Sequence, residues 1–376
     1  MIKGVEMASK VYFTDMRTKP GNNMLDKLSH VINKAGIGKM DLSGKMVALK
    51  IHFGEPGNLA FIRPNYVALI VDTVKKLGGK PFLTDCNTLY YGRRANAVDH
   101  LEAAMENGFN RIAVGCDVII ADGLTGSDAK EIEINQKYVE KAKIGTVIAD
   151  ADVIISVNHF KGHELTGFGG ALKNIGMGCG ARKGKLEMHS ASKPKMKQEN
   201  CVSCGMCIKN CPENAISYNE ERKAQIEYEK CIGCGQCVAS CHYGAATAVY
   251  DQAAEILNEK IAEYMKAVLD GKQHFHINFM MNISPDCDCS DTNDQAIVPD
   301  VGIAASNDPI ALDRACVDLV NAAPEIKGSR IGDNGELKEG EDKFVHVHPD
   351  VHWKDGLRHA EEIGVGIQDY QLISVK

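Results

Sequence analysis

Val47-Ala-Leu-Lys-Ile-His-Phe53 reads as a strand, and Pro64 to Leu77 reads as a helix with proline in its first turn. Lys80-Pro-Phe-Leu-Thr-Asp85 is a second strand, ending in the polar cluster Asp85-Cys-Asn-Thr88. Strand, helix, strand within forty residues is the signature of an α/β sheet. Working outward, a helix is predicted from about Ala95 to Asn107, closed by Gly108, with further strands at Val118–Asp122 and Asp152–Asn158. Near the other end, Asp251–Leu269 has helical spacing, and His274–Ile283 and Val301–Ala305 read as strands. Asp308 is a candidate N-cap, with Pro309 opening a helix to about Asn321, and Tyr370–Val375 looks like a last strand. The expected fold class is α/β, with a mixed or partly parallel sheet.

Between these zones, from about Lys195 to Ala248, the chain becomes short-looped and cysteine-dense. The simplest organisation is one α/β domain made of residues 1–194 and 249–376, with residues 195–248 inserted as an α+β module. Three domains in series is the alternative. Of 14 cysteines, eight fall between Cys201 and Cys241, as C-x2-C-x2-C-x3-C written twice. The copies are Cys201, Cys204, Cys207, Cys211 and Cys231, Cys234, Cys237, Cys241, 30 residues apart, with Gly205 matching Gly235 and Ala215 matching Ala245. Three thiolates at this spacing wrap three corners of an iron–sulfur cube, and the fourth leads away to the other cube. The expected ligands are therefore Cys201, Cys204, Cys207 and Cys241 for one [4Fe–4S] cluster, and Cys231, Cys234, Cys237 and Cys211 for the other. Gly205 and Gly235 sit where the wrapping loop needs positive φ or close approach. Structural zinc is the competing reading, but paired zinc knuckles lack the third regularly spaced cysteine. Pro212 follows Cys211, whereas His242 follows Cys241, so the two exits differ.

The 376 residues carry a formal charge of −7, with 44% hydrophobic and 25% charged residues. No basic block points to nucleic acid, and Lys183–Lys197 reads as a solvated linker. No run of apolar residues is long enough for a membrane span, and the first residues lack a secretory signal, so a cytoplasmic protein is expected.

Outside the cysteine module the densest segment runs from Asn158 to Gly180. It follows a strand, is glycine-rich and enters a helix near Gly170, an arrangement that offers free N–H groups to anions. Lys161, Gly169, Gly170, Lys173 and Asn174 are the candidate anion or substrate loop. His163 and Lys173 are candidate proton donors, as is His52 at the end of the first strand, near Glu55. A tight turn with hydrogen-bonding histidines is the plainer alternative. Cys287-Asp-Cys289 follows the strand ending at Ile283. In extended chain its thiols point the same way, toward one ligand or each other. With His159 they are a candidate additional metal site, although Asp286, Asp288 and Asp291 would raise the thiol pKa values. Cys86, Cys116 and Cys316 look like small buried residues.

Lys50-Ile-His52-Phe-Gly, the His159–Gly178 segment, the duplicated cysteines, Cys287-Asp-Cys289 and Ser306-Asn-Asp308-Pro-Ile-Ala-Leu-Asp313 together resemble the domain-of-unknown-function family 362. The resemblance runs from about Val47 to Asn321 and implies a ferredoxin-like protein, often from anaerobes, with the same eight cluster ligands. The functional expectation is single-electron relay through two [4Fe–4S] clusters to a redox partner protein or a small-molecule substrate. The alternatives are an oxidoreductase with its own pocket at the His159–Lys173 loop, and a cofactor- or metal-handling protein using Cys287 and Cys289.

Overall fold

The computed structural model describes residues 8–376 apart from Tyr91, Ser192, Ile232, Cys234 and His242, so the expectations for Cys234 and His242 lie outside the described residues. Eight strands form the main sheet: β1 (Ser9–Asp15), β2 (Met46–Ile51), β3 (Lys80–Asp85), β4 (Val118–Ile120), β5 (Val153–His159), β6 (Gln273–Met280), β7 (Gly302–Ser306) and β8 (Tyr370–Ser374). Their order is β8-β1-β7-β6-β5-β2-β3-β4. Only β7 runs against its neighbours; the other pairings are parallel.

Every residue of β5 is buried, as expected of a parallel strand covered on both faces. Alternate side chains along β2 and β5 divide between two cores: Ala48 and Ile154 face one, Val47, Leu49, Ile155 and Val157 the other. The helices α1 (Met24–Ala35) and α2 (Pro64–Lys76) cover the second face, while α3 (Ala171–Cys179), α5 (Ala254–Leu269) and α6 (Pro309–Ala322) cover the first. Between α3 and α5 lies α4 (Arg182–His189). Asp308 caps α6 as predicted, accepting hydrogen bonds from the Ile310 and Ala311 amides at 2.9 and 3.0 Å.

Chain from both sides of the cysteine-rich segment builds this sheet, because β6 lies directly beside β5. Three domains in series would not interleave in this way. The inserted segment leaves and rejoins at one place, where Lys195 and Met196 pair antiparallel with Thr247 and Ala246. Leu89, Leu186, Cys201, Cys207, Cys237 and Val238 belong to its separate small core.

Two sequence expectations fail here. The first half of Lys183–Lys197 is helix α4, with Arg182 and Lys185 buried, because it packs between the sheet domain and the inserted module. The segment beyond Ile283 is no extended chain: Ser290 N–H donates to the Cys287 carbonyl at 3.1 Å, closing a turn. Among the described residues no helix is long and apolar enough to cross a membrane.

Candidate functional site

The cysteine duplication extends to the backbone. Positive φ occurs at Gly205 and Gly235 (76° and 71°), at Ser203 and Gly233 (62° and 74°), and at Asn214 and Gly244 (49° and 66°). Each pair is separated by the repeat length, so both loops turn alike. Cys201, Cys204, Cys207 and Cys241 line one small cavity, and Cys211, Cys231 and Cys237 line another. Cys241 thus lies with the first three cysteines of the other copy, and Cys211 lies with Cys231 and Cys237. Ala215 N–H reaches the Cys211 sulfur at 3.2 Å, and Ala245 N–H reaches the Cys241 sulfur at 3.3 Å. Amides aimed at sulfur are the contacts by which a chain stabilises the ligands of an iron–sulfur cluster. No group of three or more His, Cys, Asp or Glu among the described residues is set to hold a single metal ion. Thiols spread around a cavity suit a cube with a ligand at each corner, so the donor set fits [4Fe–4S] clusters.

A second, larger cavity of about 300 Å³ opens at the carboxyl ends of β2, β3 and β5, where open α/β sheets bind ligands. His52, His159, Lys161, His163, Gly169, Gly170, Lys173, Asn174, Cys287 and Cys289 all line it. The chain therefore brings together every candidate that the sequence singled out outside the cysteine module, from segments over two hundred residues apart.

The Cys287 side chain lines this cavity. Lys173 Nζ lies 3.0 Å from its sulfur, and the Cys289 amide donates to that sulfur at 3.4 Å. The Cys289 side chain donates as well, and Lys161 and Lys173 add charge, so Cys287 is held well below the usual thiol range despite burial. The partner thiol Cys289 moves the opposite way, well above that range, because it keeps the shared proton and is buried. Burial alone would lower Lys173, but the two sulfurs outweigh it and keep the ammonium charged. The acidic neighbours do not act as the sequence suggested. Asp286 pairs with Arg330 at 2.7 Å, and Asp288 hydrogen-bonds His159 Nδ1 at 2.7 Å, so each carboxylate has a partner away from the thiols.

His163 Nδ1 accepts from the amides of Leu165 and Thr166 at 3.0 and 3.2 Å, and His52 Nδ1 accepts from the Gly54 amide at 3.0 Å. Both rings therefore carry their proton on Nε2. For His52 that nitrogen lies 3.6 Å from the Cys289 sulfur. Burial, then Arg94, holds His52 well below the ordinary histidine value; burial, then Lys173, lowers His163. Each is a neutral N–H donor rather than a cation.

The supposed anion loop divides. Asp313 of α6 accepts from the Ala171 and Leu172 amides, both at 2.8 Å, so the first turn of α3 is capped by the chain itself. A Cβ at Gly170 would come within 2.5 Å of that carboxylate, so the glycine serves the cap. Asn174 accepts from Lys50 Nζ at 2.6 Å and donates to the Lys50 and Val157 carbonyls, tying α3 to β2 and β5. Gly169 leaves room for Lys161, whose Nζ is 3.3 Å from where a Cβ would sit. Lys161, 4% exposed, has no hydrogen-bond or ion-pair partner among the described residues. Both ring nitrogens of His159 are engaged, by Asp288 and by the Met281 carbonyl, each at 2.7 Å. The proposed metal triad of His159, Cys287 and Cys289 therefore does not converge.

Sequence reading missed Arg94, Tyr90, Lys185, His189 and Tyr250, which complete the wall. Arg94 pairs with Glu55 at 2.7 Å, and that glutamate near the end of the first strand was the available signal. Lys185 and His189 come from α4, whose Leu186 lies where a Cβ on Gly235 would strike it at 2.0 Å. One face of α4 thus lines the cavity, and another packs on a cysteine loop.

Fold and site together define an α/β protein with a thiol-bearing cleft at the carboxyl edge of its sheet and a cysteine-rich insertion beside it. A family described as Domain of unknown function (DUF362) matches residues 47–318, and the chain belongs to that family. No curated protein matches it. Among solved structures it is similar to the lactate racemase apoprotein from Thermoanaerobacterium thermosaccharolyticum, at 11% identity and a TM-score of 0.46, covering 97% of this chain and 82% of that one. It is also similar to a Thermotoga maritima protein at 12% identity and a TM-score of 0.35, covering 69% of this chain and 50% of that one.

Proposed function

We propose that the chain is an iron–sulfur oxidoreductase, in which the inserted module relays single electrons to a small anionic substrate held in the cavity. One observation carries this reading: α4 is a shared wall, with Lys185 and His189 facing the cavity and Leu186 against the loop of Gly235. When bound, [4Fe–4S] clusters supply reversible one-electron exchange. The eight cysteines would hold them, and the amides of Ala215 and Ala245 would moderate the charge on sulfur. In the cavity, Lys161 is free among the described residues to meet an anion, whereas Lys50 is matched by Asp85 at 3.0 Å, Arg94 by Glu55, and Lys185 Nζ donates to the Gly180 carbonyl. His163 Nε2 holds a proton, and the buried walls keep water from the thiols. A redox partner protein is the expected electron source.

The test is anaerobic purification with iron and sulfide analysis, then reduction and electron paramagnetic resonance. About eight irons and eight sulfides are expected, with two magnetically coupled centres. Cys211→Ala should leave about four irons, because it empties only the cavity shared with Cys231 and Cys237. A colourless protein holding zinc would overturn the proposal.

A further inference from the structure

We propose that Cys287 and Cys289 form a redox-active dithiol that exchanges with small anionic disulfides entering the cavity. Four observations meet here. The two cysteines are brought together by a turn, closed by Ser290 N–H to the Cys287 carbonyl at 3.1 Å, and the Cys289 amide donates to the Cys287 sulfur at 3.4 Å. Both cysteines line the 300 Å³ cavity, so the sulfur that reacts faces space for a second molecule. Lys173 sits 3.0 Å from Cys287 but not within hydrogen-bonding distance of Cys289 among the described contacts, which separates an attacking sulfur from a resolving one. Lys161, buried and without a hydrogen-bond or ion-pair partner among the described residues, supplies a place for the anionic end of the incoming molecule.

The exchange balances as follows. The Cys287 thiolate attacks one sulfur of the entering disulfide RSSR, its S–S bond breaks, and RS⁻ leaves. The Cys289 thiol then gives up its proton and attacks the Cys287 sulfur, expelling the second RS⁻. The proton ends on one of the two released thiolates, which leave into the same cavity that Cys289 lines. The protein has lost two electrons and gained one S–S bond; RSSR has gained both electrons and become RS⁻ plus RSH. In the opposite direction the same dithiol is regenerated by two electrons and one proton. Only that regeneration rests on the cluster reading above. The exchange itself does not.

Dithiodipropionate, a small dianionic disulfide, and cystamine, a small cationic one, are the probes. Anaerobically purified full-length protein is mixed with each, quenched in acid, alkylated and digested with trypsin. The peptide Gln273–Arg314 contains Cys287 and Cys289 and no other cysteine, so the cluster thiols do not interfere. With dithiodipropionate it should become lighter by two hydrogens and refuse alkylation, at least about tenfold faster than with cystamine. Lys161→Ala should slow the reaction with dithiodipropionate far more than that with cystamine, so that the preference is lost. Cys289→Ser should trap a mixed disulfide on Cys287, whereas Cys287→Ser should form no adduct at a comparable rate. The proposal falls if the wild-type peptide keeps two alkylatable thiols while the denatured protein reacts. It also falls if Cys287→Ser is modified at Cys289 as fast as wild type. Failure here with coupled clusters present would leave the electron-transfer proposal standing; success in a protein without iron would do the reverse.

Discussion

At the scale of single residues, the decisive contact is Lys173 on Cys287. An ammonium 3.0 Å from a buried sulfur favours the thiolate, and an opposite charge at this range lowers an acid's pKa by about one to three units. Lys173→Met keeps the length of the side chain and removes its charge, so the Cys287 pKa should rise. The pH midpoint for alkylation of the Gln273–Arg314 peptide should move up by about one unit or more. An unmoved midpoint would mean that the Cys289 side chain and amide suffice. The residues of this cluster were legible in the sequence as types, but their pairing was not. Asp286, Asp288 and Asp291 stand beside the cysteines in the chain, and proximity alone says that they oppose ionisation. Arg330, 44 residues on, and His159, far upstream, claim two of those carboxylates in space. Likewise nothing in Gly92-Arg93-Arg94 announces that Arg94 is buried against Glu55, while Arg93 lies on the surface against Glu102 and Glu106.

Among the elements, α3 shows how a motif can hold as structure while the helix amides it was expected to offer an anion are already taken. A glycine-rich turn into a helix was expected, and α3 begins at Ala171, directly after Gly170. Its free amides, however, are taken by Asp313, a residue of α6 that also accepts from Asn278 Nδ2 at 2.8 Å. Truncation by Asp313→Ala strands three buried donors and should cost about 2–4 kcal/mol in urea denaturation. Burial pushes this carboxyl up from 3.8 to about 6, against the hydrogen bonds from Leu172, Asn278 and Ala171 that lower it. A folded pKa above the unfolded one means that the unfolded chain releases its proton first as pH rises. The contribution of Asp313 is thus fullest below the unfolded value and fades as pH climbs toward 6, at about 1.4 kcal/mol per pH unit. Asp313→Asn, which cannot ionise, should flatten the fall in stability between pH 5 and 6; an identical slope in both proteins would exclude Asp313 as its source. The strands and helices with strong periodicity, β2, β3, α2 and α6, were legible to within a residue or two. The strand β1 was not, because only Val11 and Thr14 of its seven residues are buried and its partners β7 and β8 lie near the far end of the chain, as in Tyr12 opposite Ala305 and Ser9 opposite Tyr370. The helix α1 had a readable signal that went unused: Asn23 accepts from the Asp26 amide, and the Asp26 side chain returns the bond at 2.9 Å.

For the whole molecule, the question is whether the cysteine module is a guest in the α/β fold or a part of it. The sheet makes no use of the module, since β5 and β6 pair along seven residues without it. The two chain ends that carry the module are already side by side, with Lys195 opposite Thr247 and Met196 opposite Ala246. Replacing residues 197–245 with a short glycine-containing turn joins two strands that an antiparallel hairpin would join anyway. What such a deletion removes is the cover over Leu89 and Leu186, which belong to the module's core. Exposing two leucines forfeits about 1.5–3 kcal/mol for each, a loss that a core spanning both sheet faces can bear. The shortened chain should therefore unfold in one cooperative transition at a modestly lower denaturant midpoint, and it should contain no iron. Its Cys287 should still be alkylated with the same pH midpoint, because Lys173, His163 and the turn at Ser290 all belong to the host. A chain that fails to fold, or one whose Cys287 loses its low midpoint, would show that α4 depends on the module for its place, and that cavity and cysteine loops are one structural unit.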